Sequence, residues 1–155
     1  MIDNHSFEML VQAQTDTLYR VSMSMLKNEY DAQDAVHDAI LIACQERHKL
    51  REEQYFGTWL TRILINVCKK QLRQRKRRTD IGDSPLDIAS RDNPYQSIEI
   101  EEAMDKLPEK IRLTMTLFYV EDYSIKEIKS ILHIPEGTVK SRLNKGRTLL
   151  REALQ

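Results

Sequence analysis

The sequence predicts an all-α protein made of two small helical domains joined by a flexible acidic linker. Three observations carry this expectation. Apolar residues recur at spacings of three, four and seven along most of the chain, the period of one helix face. Gly, Pro and Phe are scarce, at four, four and three of 155 residues, and β-branched runs are few, which favours helices over sheets. Residues 79–94, "TDIGDSPLDIASRDNP", break the period with Gly82, Pro85, Pro94 and several Asp, and read as a linker.

The first domain is expected over residues 1–78. Its first helix carries Phe7, Leu10, Val11, Leu18, Val21 and Met25 on one face. "KNEYD" interrupts the pattern. Asp31 is suited to cap the next helix, with Asp34 in the first turn, where the positive end of the helix dipole favours an acid. That helix turns Ala32, Ala35, Val36, Ala39, Ile40 and Ala43 inward, and these small residues allow close approach of a neighbour. "RHKLREEQ" reads as a polar loop. A third helix starts near Phe56 with the stripe Phe56, Trp59, Leu60, Ile63 and Val67, and runs on into "KKQLRQRKRR". Cys44 and Cys68 form no CxxC pair and read as half-buried free thiols of a reducing compartment.

The second domain is expected over 95–155, as a four-helix, winged-helix-like unit containing a helix-turn-helix. One helix is read in "YQSIEIEEAMDKL", and Pro108 opens the next in its first turn. Ser124 and Glu127 have the S-x-x-E spacing of a capping box, and Ile125, Ile128 and Leu132 face inward behind it. "HIP" makes the turn. The last helix begins at Pro135 or Glu136 and turns Val139, Leu143, Gly146 and Leu150 inward. Its outward face then holds Lys140, Ser141, Asn144 and Lys145, with Thr138 and Arg142 at the borders. All six side chains can donate hydrogen bonds to base edges or phosphates. The layout fits a DNA reader, and by pattern alone it also fits a helical hairpin with a solvated basic face.

Net charge is zero, with 24 basic and 24 acidic residues, but the charges are sorted. Arg62 to Arg78 holds eight Lys or Arg and no acid, Asp80 to Asp105 holds eight acids against Arg91, and Pro135 to Arg151 holds five basic residues against Glu136. Seven basic residues within "KKQLRQRKRR" repel one another unless an anion relieves them, and nucleic acid is the anion expected. Arg62, Asn66, Lys69, Lys70 and Arg73 follow at helical spacing and are placed to track one phosphate backbone. Trp59 lies both on this helix and on its apolar stripe, so core packing and a DNA contact are both open to it.

Enzyme chemistry is not indicated. There is no GxxxxGK[ST] or GxGxxG, no HExxH, and no Cys or His at zinc spacing, so no catalytic residue, metal or cofactor is expected. His5, His37, His48 and His133 read as surface or edge residues. No apolar run approaches the roughly 18 residues that span a membrane, and "MIDNHSFEML" lacks the pattern of a signal peptide. A cytoplasmic location follows as an expectation.

"YSIKEIKSILHIPEGTVKSRLNKGRTLLREAL" resembles the C-terminal DNA-reading domain of bacterial sigma factors. "NEYDAQDAVHDAILIACQ" followed by "FGTWLTRILINVCKKQLRQRKRR" resembles their N-terminal core domain. The order and the short linker are similar to the extracytoplasmic-function (ECF) class of the sigma-70 family, and the resemblance covers nearly the whole chain. It implies that residues 1–78 are region 2 and residues 95–155 region 4. The implied protein is a stress-responsive, non-enzymatic factor that binds core RNA polymerase and directs it to promoter DNA. Asp31, Asp34 and Asp38 would dock on a coiled coil of the largest polymerase subunit. Trp59, Arg62, Asn66, Lys69, Lys70 and Arg73 would lie at the melted −10 element, with the loop His48 to Gln54 capturing a flipped base. Thr138, Lys140, Ser141, Arg142, Asn144 and Lys145 would read the −35 element. An anti-sigma partner, often membrane-bound, and a monomeric free state are implied as well. Lys129 departs from the family pattern, which has a small residue where the two helices of the motif cross. A stand-alone helix-turn-helix regulator and a helical adaptor are the rival readings.

Overall fold

The computed structural model describes residues 2–80 and 98–155. Most of the expected linker, and the first three residues of the helix expected from Tyr95, lie outside them. Seven α-helices and no strand are present among the described residues, and the chain divides into two compact units, Met1–Ala89 and Ser90–Gln155.

The first unit is a three-helix bundle of α1 (Asn4–Leu26), α2 (Glu29–Glu46) and α3 (Phe56–Asp80), each packed on the other two. Asp3 caps α1. Its carboxylate accepts from the Ser6 N–H at 2.7 Å, which holds its pKa below the usual value. Lys27 ends the helix in the left-handed region at φ 56°. The chain is therefore already extended at Asn28, which caps α2 by accepting from the Asp31 N–H at 3.0 Å. This corrects the expectation that Asp31 is the cap: α2 starts at Glu29, Asp31 sits in its first turn, and Asp34 falls one turn further along. Asn serves this position as well as Asp does, and it comes first after the turn.

The core of this unit holds Leu18, Val21 and Leu26 of α1, Ala32, Ala35, Ala39 and Ala43 of α2, and Phe56, Leu60, Leu64 and Cys68 of α3. The buried stripe of α3 therefore differs from the sequence reading. Trp59, Ile63 and Val67 are half-buried at its edge, while Thr61, Leu64, Ile65 and Cys68 go inside, because α3 packs against two helices rather than one. Cys68 is fully buried and Cys44 is exposed, so neither thiol is the half-buried group expected. Burial pushes the Cys68 thiol up to about 12. The polar loop folds into two short 3₁₀ turns, Arg47–Lys49 and Glu53–Tyr55, anchored between them by buried Leu50. Thr79 and Asp80, assigned to the linker by sequence, extend α3.

The second unit contains α4 (Ile98–Asp105), α5 (Glu109–Met115), α6 (Ile125–Leu132) and α7 (Glu136–Ala153). Pro108 is the N-cap of α5 rather than its first helical residue. Buried Arg112 donates from Nη1 to the carbonyls of Leu107 at 2.9 Å and Asp105 at 3.3 Å, satisfying the orphan end of α4. Beyond Met115 the helix widens into a π-turn over Thr116–Val120. α7 packs against α4, α5 and α6. Its Gly146 faces α5, where a Cβ would stand 2.6 Å from Met115 Sδ, so a side chain there would force Met115 to shift.

Candidate nucleic-acid interface

The helix-turn-helix is built from local chemistry. Ser124 Oγ accepts from the Glu127 N–H at 3.1 Å, and the Glu127 carboxylate accepts from the Ser124 N–H at 2.9 Å, so both halves of the capping box form. His133 ends α6 in the left-handed region at φ 59°, and its N–H and that of Ile134 both donate to the Lys129 carbonyl, at 2.9 and 3.3 Å. Pro135 then caps α7 in an extended conformation. Ile128, Ile131 and Leu132 of α6 and Val139, Leu143 and Gly146 of α7 are buried, Gly146 against α5; Ile125 and Leu150, expected inside, are half-buried.

This leaves the expected reading face on the outside. Lys140, Ser141, Asn144 and Lys145 are exposed, and Thr138 and Arg142 are half-buried at its borders. Lys140 Nζ rests 3.5 Å from Glu136 Oε1, with both side chains largely in solvent, so the contact holds the ammonium only weakly. Lys129 is exposed, its side chain outside the crossing. An open groove of about 800 Å³ runs beside it, lined by Lys126, Ser130, His133 and Pro135 among others.

On α3, Arg62, Asn66, Lys69, Lys70 and Arg73 are all exposed and share one helix face, opposite the Leu60–Leu64–Cys68 stripe. Trp59 is half-buried at the edge between the two, its ring 5.8 Å from that of Phe56. It is neither a core residue nor a free one. Tyr55, at the end of the second 3₁₀ turn, is 56% exposed, an aromatic surface one residue beyond the loop singled out by sequence. The basic tail is not uniform: Arg75 Nη2 lies 2.7 Å from Asp31 Oδ2, and its Nη1 donates to the Leu26 carbonyl at 3.0 Å.

The three acids of α2 therefore differ. Asp31 is half-buried and engaged by Arg75, whereas Asp34 and Asp38 are exposed on the solvent face. Tyr30, at 85% exposed, and Leu41, at 61%, lie on that same face. Sequence reasoning missed both. Tyr30 stands singly between Glu29 and Asp31, and Leu41 lies within the apolar run of residues 40–42, so neither stood out as an exposed residue. An exposed aromatic beside charges has the composition of a protein interface.

Among the described residues no group of three or more His, Cys, Asp or Glu could hold a metal ion, and no helix is long and apolar enough to cross a membrane.

Residues 10–78 match the family model for Sigma-70 region 2, and residues 97–150 match Sigma-70, region 4. The chain is 30% identical to the ECF RNA polymerase sigma factor SigW of Bacillus subtilis, over 99% of this chain and 91% of that protein. It is 31% identical to the RNA polymerase sigma-H factor of Pseudomonas aeruginosa, over 99% and 88%. The chain thus belongs to the ECF class of the sigma-70 family of RNA polymerase sigma factors, which are transcription initiation factors. Two solved structures share its fold. Sigma factor RpoE of Bartonella quintana, determined in complex with the anti-sigma factor NepR, superposes with a TM-score of 0.81 at 23% identity, covering 97% of this chain and 94% of that one. CnrH, in complex with the cytosolic domain of CnrY, gives 0.74 at 21% identity, covering 98% and 89%.

Proposed function

We propose that this protein binds core RNA polymerase and directs it to a specific set of promoters by contacting two DNA elements. The exposed face of α7 reads the −35 element, with Lys140, Asn144 and Lys145 on base edges and Thr138, Ser141 and Arg142 on base edges or phosphates. The outer stripe of α3, Arg62, Asn66, Lys69, Lys70 and Arg73, follows the backbone beside the melted −10 element, with Trp59 at its edge. The loop from His48 to Gln54, together with Tyr55, receives the base held out of the stack; aromatic surfaces suit an unstacked base. Asp34 and Asp38, flanked by Tyr30 and Leu41, form the polymerase-docking face, where acids match a basic partner surface.

The observation that carries this reading is the pair of basic, outward helix faces, one in each unit, in a chain of zero net charge. The protein performs no catalysis itself. It acts as a monomer in the cytoplasm, and an anti-sigma partner covers these surfaces until a signal releases them. Adding the purified protein to core RNA polymerase and a genomic library of promoter fragments tests the reading. Discrete transcripts that require both components are expected. DNA binding without polymerase-dependent transcripts would point instead to a stand-alone regulator.

A further inference from the structure

We infer that Asp31 and Arg75 form a positioning pair that sets the distal, DNA-tracking half of α3, and that Asp31 is not part of the polymerase-docking face. The inference rests on the reading of α3 given above and deepens it. Along α3 the inward positions run Leu60, Leu64, Cys68 and then half-buried Leu72, and Arg75 is the next residue in that series. The apolar core ends there, and a guanidinium takes over the role of holding the helix.

Two of its contacts meet at the corner between the other two helices. Nη1 donates to the carbonyl of Leu26, one of the orphan acceptors at the C-terminal end of α1, where positive charge is favoured. Nη2 donates to the Asp31 carboxylate in the first turn of α2, where negative charge is favoured. One planar fork thus ties three helix segments, and Arg has the geometry for two separate acceptors that Lys lacks. The side chains are only 28% and 27% exposed, so solvent weakens the pair less than it does a surface pair. Past Arg75 the exposed Lys76, Arg77 and Arg78 have no apolar anchor of their own. Their direction, and that of Arg73 two residues before it, depends on where Arg75 is held.

The test exploits sign. A direct electrostatic effect of Asp31 on DNA would be repulsive, so removing its charge would strengthen DNA engagement. Positioning predicts the reverse. Holoenzyme is reconstituted from core polymerase and the full-length chain, on a promoter selected by that holoenzyme, and strand opening is read by permanganate reactivity at the −10 thymines. Asp31→Asn and Arg75→Gln are each expected to lower the opening equilibrium by about five-fold, the size of a partly buried ion pair. The double variant should fall no further than the larger single effect, because the Asp31–Arg75 contact is already lost in either single variant. Arg75→Lys should recover only part of the loss. Core-polymerase affinity and −35 duplex binding are expected to hold for Arg75→Gln, and the thermal midpoint reports any general loss of fold.

Unchanged or improved opening in Asp31→Asn overturns the inference, as does a loss in Arg75→Gln that Asp31→Asn does not share. A drop in core affinity in Asp31→Asn that Arg75→Gln does not share returns Asp31 to the docking face. Lys69→Ala with Arg73→Ala separates the two levels. Normal opening there overturns the reading of α3 itself, whereas impaired opening there with normal opening in Asp31→Asn overturns only the positioning role.

Discussion

Gly146 of α7 stands where any side chain would meet Met115 of α5: a Cβ would lie 2.6 Å from Sδ, 2.7 Å from Cγ and 3.1 Å from Cγ2 of Ile111. Met115 is 2% exposed, so any shift of its side chain has to be made inside the core. Gly146→Ala gains about 1 kcal/mol of helix propensity but costs about 1–3 kcal/mol in overpacking. A net loss of up to about 2 kcal/mol in the second unit is expected, read as a lowered urea midpoint with unchanged slope. Gly146→Val should cost more. A more stable Gly146→Ala protein would mean that α5 and α7 do not pack this closely.

The capping box offers a smaller effect with a sharper location. α6 has only eight residues, so its end contacts carry a large share of its stability. Ser124→Ala should destabilise the second unit by about 1 kcal/mol, raising hydrogen exchange at the amides of the first turn of α6 while leaving the first unit's protection unchanged.

Base reading by α7 is tested without disturbing its core. Lys140→Ala and Lys145→Ala remove exposed side chains and should not shift the melting midpoint. Each is expected to lower initiation at the protein's own promoters by about 1–3 kcal/mol in transition-state terms if it contacts a base, with core-polymerase affinity unaltered. Charge reversal of Asp34 and Asp38 to Arg should do the opposite, weakening core binding and leaving isolated −35 duplex binding intact. An equal loss of both activities in either set would refute the division of labour between the units.

The basic tail of α3 predicts a salt dependence. Arg75 is engaged internally, and contact of about five of the seven other cations of this helix with phosphates gives a log–log slope of binding against salt of about −4 to −5 for its share of the contact. Arg73→Ala should lower that slope by about one and weaken binding across sequences alike. A change confined to one promoter sequence would instead mark Arg73 as a base reader.

The two thiols should react very differently. Exposed Cys44 is expected to be alkylated rapidly at pH 8, and Cys68 only on unfolding. The raised Cys68 pKa has a definite sign. Below the ordinary thiol value of 9.0 both folded and unfolded chains keep the proton, and the group adds no pH dependence. Between 9.0 and about 12 the unfolded chain releases the proton and the folded one does not, so stability falls as pH rises. Cys68→Ala should flatten that part of the stability profile, measured by urea unfolding between pH 8 and 10.5.

Much of this protein was legible in its residues. The helical period placed the helices, the Ser124–Glu127 spacing and the "HIP" turn located the helix-turn-helix, and the inward series Val139, Leu143 and Gly146 left Lys140, Ser141, Asn144 and Lys145 outside without any coordinates. These features are local: a period, a cap and a turn are set by residues within a few positions of one another. The sorting of charge into basic and acidic blocks is likewise a property of the chain order. What could not be read there depends on partners far apart in sequence. Asp31 looked like a cap, and the packing of three helices made it the counter-ion of Arg75, 44 positions away. Trp59 could not be divided between core and surface until α3 was seated against two helices rather than one. Tyr30 and Leu41 were revealed as a surface only when the assembled bundle left that side of α2 uncovered. Local sequence sets which face a helix has; only the assembled bundle settles what each face meets, because burial and long-range ion pairs are sums over neighbours that no window of the chain contains.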